Sequence, residues 1–162
     1  MGGSSFEIER KFLLKQIPDD LERYEHSSIE QGYLCTGPVV RIRKEDDEYY
    51  LTYKGKGQMI REEYNLPLTE KAYRHLRKKT DGILLRKTRY RIPLAAEEGC
   101  LPLTAEIDIF EAPYEGLCLA EVEFPDKSSA ERFIPPEWFG EDVTFNKKYH
   151  NSNLSKGVGI NG

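Results

Sequence analysis

The feature that most limits how this chain can fold is strand-like alternation repeated in segment after segment, each with one ionic face and one largely apolar face. Successive side chains of a strand point to opposite sides, so parity assigns the faces. In Phe6–Leu14, Glu7, Glu9 and Lys11 share a face while Ile8 and Phe12 share the other. Arg41 and Arg43 alternate with Val40 and Ile42, and Lys54 opposes Leu51 and Tyr53. Arg61 and Glu63 oppose Tyr64 and Leu66; Lys87, Arg89 and Arg91 oppose Tyr90 and Ile92. Glu106 and Asp108 oppose Ile107 and Ile109, and Glu121 and Glu123 oppose Val122 and Phe124.

For any single strand, an ionic face turned to water is the plainer explanation, because antiparallel sheets with one wet side look like this. The whole set argues otherwise. These positions are nearly all charged, with little of the Thr, Ser and Gln usual on solvated strands. They also occur in same-sign blocks, which destabilise side-by-side neighbours. Two like charges ~4 Å apart repel by ~4 kcal/mol at an effective dielectric near 20. Such blocks make sense if each awaits an opposite ion. The expected fold is therefore α+β and mainly antiparallel β: a closed barrel with a charged interior, its apolar faces turned outward and covered by helices.

Strands are expected at Phe6–Leu14, Ser28–Cys35, Val39–Glu45, Tyr49–Lys54, Met59–Leu68, Ile83–Leu94, Leu101–Phe110 and Leu117–Phe124. Thr69 reads as the N-cap of a helix running toward Lys79. Pro18–Tyr24 and a segment from Ser128, a candidate N-cap, to Phe133 read as shorter helices. Pro135-Pro136 precedes a turn containing Trp138. The pattern predicts one domain over residues 6–154 with loose ends at 1–5 and 155–162, the Gly- and Asn-rich tail already loosening after Tyr149.

Net charge is -4 over 162 residues, too weakly acidic to suggest a nucleic-acid or anionic-membrane surface. Cys35, Cys100 and Cys118 show no CxxC spacing, so neither a disulfide framework nor a zinc knuckle is expected, and reduced thiols suit a cytoplasmic location. No apolar run approaches a membrane span, and Met1–Ser5 lacks the apolar core of a signal peptide.

Glutamates at i, i+2 offer hard oxygen ligands suited to Mg²⁺ or Mn²⁺. Arginine forks and lysine ammonium groups suit phosphate oxygens. Both in one cavity imply phosphoryl chemistry. Glu7-Ile8-Glu9-Arg10-Lys11 matches the ExExK signature of the CYTH family, the triphosphate tunnel metalloenzymes. In the family order follow Ile29-Glu30-Gln31-Gly32-Tyr33-Leu34, Arg41-Ile42-Arg43, Tyr50-Leu51-Thr52-Tyr53-Lys54-Gly55, Arg61-Glu62-Glu63-Tyr64 and Lys87-Thr88-Arg89-Tyr90. Glu106-Ile107-Asp108, Ala120-Glu121-Val122-Glu123-Phe124 and Tyr149-His150-Asn151-Ser152-Asn153-Leu154 complete it. The chain resembles the short bacterial triphosphatase branch over nearly its whole length; Ala105 departs from the family's usual aromatic, on the outer face.

The resemblance implies a tunnel of about eight strands binding tripolyphosphate, ATP or another nucleoside triphosphate, and metal-dependent hydrolysis at the terminal phosphorus. It implies Glu7, Glu9, Glu121 and Glu123 as metal ligands. Lys11, Arg41, Arg43, Lys54, Arg61, Lys87 and Arg89 would clamp phosphate, with Glu63, Glu106, Asp108 and Arg91 supporting. Glu9, Glu123, Arg43 and Lys54 take the catalytic roles. A homodimer is left open. On the same fold, a class IV adenylate cyclase or a thiamine triphosphatase are the alternatives; from another class, a polyphosphate- or nucleotide-binding module without turnover. The glutamates speak against the last, because a pure anion binder gains nothing from carboxylates facing phosphate.

Other signals read as structural. Gly55-Lys56-Gly57 lacks the phosphate-loop spacing and is a turn. His26, His75 and His150 have no ligand spacing. Arg74, Arg77, Lys78 and Lys79 form a solvated helix face. Trp138 and Phe139 are expected to pack outside the barrel, and Lys147 and Lys148 are candidates to plug one end.

Overall fold

A computed structural model of the chain describes residues 5–96, 98–99 and 102–157. Among the described residues nine strands form one sheet: β1 (Ser5–Leu14), β2 (Glu25–Thr36), β3 (Val39–Glu45), β4 (Glu48–Lys54), β5 (Ile60–Pro67), β6 (Asp81–Pro93), β7 (Thr104–Phe110), β8 (Cys118–Glu123) and β9 (Phe139–Asp142). The order is β5-β4-β3-β2-β6-β7-β8-β1-β9, and β1 also pairs with β5, so the first eight strands close into an antiparallel barrel. β1 closes it with a divided edge. Residues 5–8 pair with β5, while Phe12 and Leu14 pair with β9.

Closure sorts the faces as parity requires. Outward residues build one apolar cluster of Phe12, Tyr90, Ile92, Ala105, Ile107, Ala120, Val122 and Phe124. It is covered by helix α2 (Lys127–Arg132) through Ala130, and by Phe133, Trp138 and Phe139, which do pack outside the barrel. Phe12 meets the rings of Phe139 and Phe133 at 5.0 and 6.0 Å. Arg10, also outward, reaches across this layer to the Ala130 carbonyl at 2.9 Å and Asp142 at 2.8 Å. Ala105 is fully buried here, so the small residue fits a tightly filled outer layer.

Helix α1 (Glu70–Arg77) begins at the expected cap, the Thr69 hydroxyl accepting from the Ala72 N–H at 3.1 Å. It is fastened to the outside of β2 by Glu30, whose carboxylate accepts from Tyr73 and Arg77 at 2.8 Å each and pairs with Arg86 at 3.0 Å. Arg77 is thus an anchor, whereas Arg74 stays exposed beside Glu70.

Three local expectations are corrected, and one strand is added. Pro18–Tyr24 yields only a 3-10 turn over Leu21–Arg23, because Asp20 is left-handed (φ 57) and no residue of the turn is buried. α2 is capped by Asp126, not Ser128; its carboxylate, at the positive end of the helix, accepts from the Ser129 N–H at 2.6 Å. The turn expected at Trp138 is present, and it leads directly into the added strand β9, too short to show an alternation. The tail after Tyr149 is folded as far as Gly157: α3 (Asn151–Leu154) buries Leu154, and the Ile83 N–H donates to the Ser155 carbonyl at 2.7 Å. Gly82, at φ +65, leaves no room for a Cβ against that same carbonyl. The start of the strand expected from Leu101, and Cys100, lie outside the described residues, as do Met1–Ser4 and 158–162.

The outer apolar layer is one of two cores that hold the barrel, and it lies on the far side of the strands from the charged bore. Phe12→Ala should lower unfolding free energy by about 3–5 kcal/mol while leaving ligand affinity below the melting transition unchanged. Denaturant titration alongside ligand binding checks this; an equal loss of affinity would show that the outer layer and the bore are not separable.

Candidate functional site

The inward faces enclose a cavity of about 860 Å³. Of the residues singled out from the sequence, Glu7, Glu9, Lys11, Arg41, Arg43, Lys54 and Arg61 all line it. So do Glu63, Arg89, Arg91, Glu106, Glu121 and Glu123. Lys87 and Asp108 do not. They are fully buried beneath it, joined at 2.7 Å.

Strand register explains which charges meet. Glu9 lies opposite Glu123, and Glu106 opposite Glu121, so four carboxylates are set side by side across β1, β8 and β7. Lys11 faces Glu121 and pairs with it at 3.4 Å. Lys54 bridges Glu7 at 2.8 Å and Glu63 at 3.4 Å. Arg89 makes a two-pronged contact with Asp108, at 2.7 and 2.9 Å, and touches Glu106 and Glu121 at 3.3 and 3.4 Å.

The electrostatic consequences differ from residue to residue. Burial pushes the Glu9 carboxyl up to about 8, reinforced by the adjacent charges of Glu121 and Glu7. Burial likewise raises Glu7 to about 6 against the pull of Lys54. Glu121 is also buried, yet Lys11 and Arg89 more than offset this and hold it well below the usual carboxylate range. Beneath the cavity, burial lowers the Lys87 ammonium to about 7 in spite of Asp108.

Among the described residues no cation lies within ion-pair distance of Glu9 or Glu123, and no carboxylate within that distance of Arg41 or Arg61. Arg41 donates to Thr52 at 3.3 Å and leaves its Nε–H unpaired; Arg61 donates to the Gly55 carbonyl at 3.1 Å. Negative and positive surplus thus stand in the same bore.

The carboxylates fit a hard divalent cation by donor chemistry: all-oxygen and like-charged, with burial and its acidic neighbours raising the pKa of Glu9. Among the described residues they are not gathered into a preformed cluster of three. That suits an ion whose shell the carboxylates share with water and phosphate oxygens.

Neutral residues in the bore escaped a reading based on charge. Gln31 accepts from Arg43, Thr52 donates to Asn65 at 2.6 Å, and Tyr50 and Ser27 each donate to Glu45 at 2.7 Å. Glu45 itself was overlooked, although it pairs with Arg91 at 2.6 Å. Its parity with Arg41 and Arg43 was the available signal. Gly55-Lys56-Gly57 is a turn between β4 and β5, as expected. Lys147 and Lys148 do not line the cavity; His150, Asn151 and Ser152 do, and the Tyr149 carbonyl accepts from Lys11 at 3.1 Å. His150 sits at this edge beside the Thr144 carbonyl at 3.2 Å, and burial lowers its pKa.

A CYTH domain model matches residues 5–157. An inorganic triphosphatase of Nitrosomonas europaea is 37% identical over 157 residues, covering 94% of this chain and 98% of that protein. One from Acetivibrio thermocellus is 34% identical over 157 residues, covering 93% of each. A solved structure of an inorganic triphosphatase superposes with TM-score 0.69 at 34% identity, covering 98% of this chain and 99% of that one. Among the described residues no helix is long and apolar enough to cross a membrane.

Glu45 gives the site a pH signature. Burial opposes its ionisation, but the Tyr50 and Ser27 hydroxyls and Arg43 hold its pKa down to about 2. A carboxylate depressed in the folded state stabilises above its ordinary value of 4.5 and loses that contribution as pH falls toward 2. Glu45→Gln should therefore melt below wild type at neutral pH, with the gap narrowing through that window. Parallel melting curves down to pH 2 would show that Glu45 is not held as described.

Proposed function

The chain belongs to the CYTH family, and from that premise we propose that it is a divalent-metal-dependent triphosphatase, releasing orthophosphate from the end of a linear triphosphate held in the bore. The observation that carries this is the double surplus: cations without carboxylates at Arg41 and Arg61, carboxylates without cations at Glu9 and Glu123, all on one cavity. A triphosphate with its divalent cation neutralises both. Tripolyphosphate is the favoured substrate, since the relatives named above are inorganic triphosphatases; ATP and other nucleoside triphosphates come second.

Arg41, Arg43, Arg61, Lys54 and Lys11 hold phosphate oxygens, the arginines as planar forks and the lysines as point charges. Glu7, Glu9, Glu121 and Glu123 would hold Mg²⁺ or Mn²⁺. When bound, such an ion supplies Lewis-acid polarisation of phosphate oxygens and lowers the pKa of water. Arg41 and Arg43 offset the charge that grows on the leaving diphosphate, and enclosure by the barrel strengthens each of these interactions relative to bulk water. Lys87 and Asp108, beneath the cavity, act through Arg89, which Asp108 holds in place. Free thiols at Cys35 and Cys118 suit the cytosol as the place of action.

The test is to incubate the protein with Mg²⁺ or Mn²⁺ and tripolyphosphate, ATP or thiamine triphosphate, measuring orthophosphate and cyclic AMP. Orthophosphate from tripolyphosphate is expected. Cyclic AMP from ATP, or tight binding without turnover, would overturn the proposal. Glu9→Gln should lower kcat at least a hundredfold with the fold intact by circular dichroism. Arg41→Ala should raise KM about tenfold or more, because the same cation holds ground and transition states.

A further inference from the structure

Three arginines of the bore, Arg43, Arg89 and Arg91, are each held within 3.0 Å by an acceptor on another strand, and only for Arg43 is that acceptor uncharged. Arg89 is held by Asp108 and Arg91 by Glu45. Arg43 instead donates both its Nε–H and an NH2 hydrogen to one oxygen, Oε1 of Gln31, at 2.9 and 2.6 Å. The two residues are direct partners in the β2–β3 register. A guanidinium only donates, so the amide must face it with its carbonyl oxygen. This leaves the Nε2 group of Gln31, a wholly buried side chain, with no partner among the described residues.

A glutamate has nearly the shape of glutamine, would make the same two bonds with charge assistance, and would carry no orphaned N–H. The weaker acceptor therefore stands where stability alone would favour the carboxylate, and local sacrifices of this kind mark functional positions. The carboxylate nearest Arg43 is Glu45, 3.7 Å from its NH1 and already accepting from Ser27, Tyr50 and Arg91. Arg43 also feels Arg41 and Arg89 nearby, so it needs a fixed acceptor to stay in place among like charges.

We propose that Gln31 is a positioning residue for the triphosphate: its carbonyl oxygen locks the Arg43 fork toward the bore without cancelling the charge that phosphate must meet. This rests on the triphosphatase reading above and adds to it a residue that does not itself line the cavity. Neutrality is the essential property. An acceptor of the same shape with a negative charge would hold Arg43 better and serve the ligand worse.

The experiment compares wild type, Q31E and Q31M by melting temperature, by calorimetric binding of tripolyphosphate without added metal, and by kcat and KM with metal. Q31E is expected to melt at or above wild type, yet to raise Kd and KM about tenfold or more. Q31M, which frees Arg43 but keeps its charge, is expected to raise Kd severalfold, less than Q31E. A folded Q31E with Kd and KM within twofold of wild type would overturn the inference, as would an unaltered Kd in Q31M should Q31E fail to fold. Wild type that binds tripolyphosphate but releases no orthophosphate would sink hydrolysis alone, leaving Gln31 to be judged on Kd; wild type that does not bind would sink both.

Discussion

Everything in this molecule depends on charge being compensated inside a closed wall of strands. Ionic side chains taken out of bulk water lose solvation, and their mutual attraction returns it only where geometry and hydrogen bonding are good. Arg89 and Asp108 meet that condition through a two-pronged contact, whereas Lys87, on the same wholly buried carboxylate, does not: burial still lowers its ammonium. Such pairs are weak sources of net stability, so the barrel must be held elsewhere. The outer layer does this, where Phe12, Ile107 and Val122 are fully buried under α2 and Phe139. Around the cavity the usual barrel is turned inside out, with hydrocarbon outside the strands and ions within.

Compensation is deliberately incomplete. Where strands β1, β7 and β8 run together, register sets carboxylate against carboxylate, an arrangement that destabilises a sheet unless a cation is supplied. Across the bore, Arg41 on β3 and Arg61 on β5 have no carboxylate within ion-pair distance among the described residues. The remaining charges divide into those that hold the wall, such as Asp108 and Glu45, and those left over for a ligand. A site of this kind gives up stability to remain ready for an ion pair it does not itself contain.

Parity made much of this legible. Alternation in β1, β3, β6 and β8 predicts which residues face the bore, because a strand cannot turn one side chain without turning them all. What parity cannot give is depth. Lys87 and Arg89 share a face, yet one lies under the cavity and the other in its wall, and only the stagger of β6 against β7 decides this. Neutral members of the bore were missed because charge was the criterion: Gln31, Thr52 and Tyr50 carry none, and their partnership with arginines exists only after β2, β3 and β4 pair. The C-terminal segment, read as loose from its Gly and Asn content, is ordered by long-range contacts that composition does not encode, namely Leu154 in the lower core and Ser155 against Ile83.

Depth also separates the interior into two chemistries. Along the inward faces, Leu13 follows Lys11, Leu85 precedes Lys87, Phe110 follows Asp108 and Leu119 precedes Glu121. These apolar residues gather with Tyr33, Val39, Val143 and Leu154 into a second core at one end of the barrel. Tyr33 and Val39 belong to that core and also line the cavity, so hydrocarbon and ionic wall meet at its margin. The Lys87 ammonium lies 5.3 Å from the centre of the Phe110 ring at the same boundary. An apolar base excludes water from beneath the arginines and lowers the local dielectric, which strengthens every charge interaction above it. The second core therefore does more than close the barrel: it sets the field in which Arg89, Arg43 and the carboxylates act, and ties the order of the C-terminal segment to the electrostatics of the site.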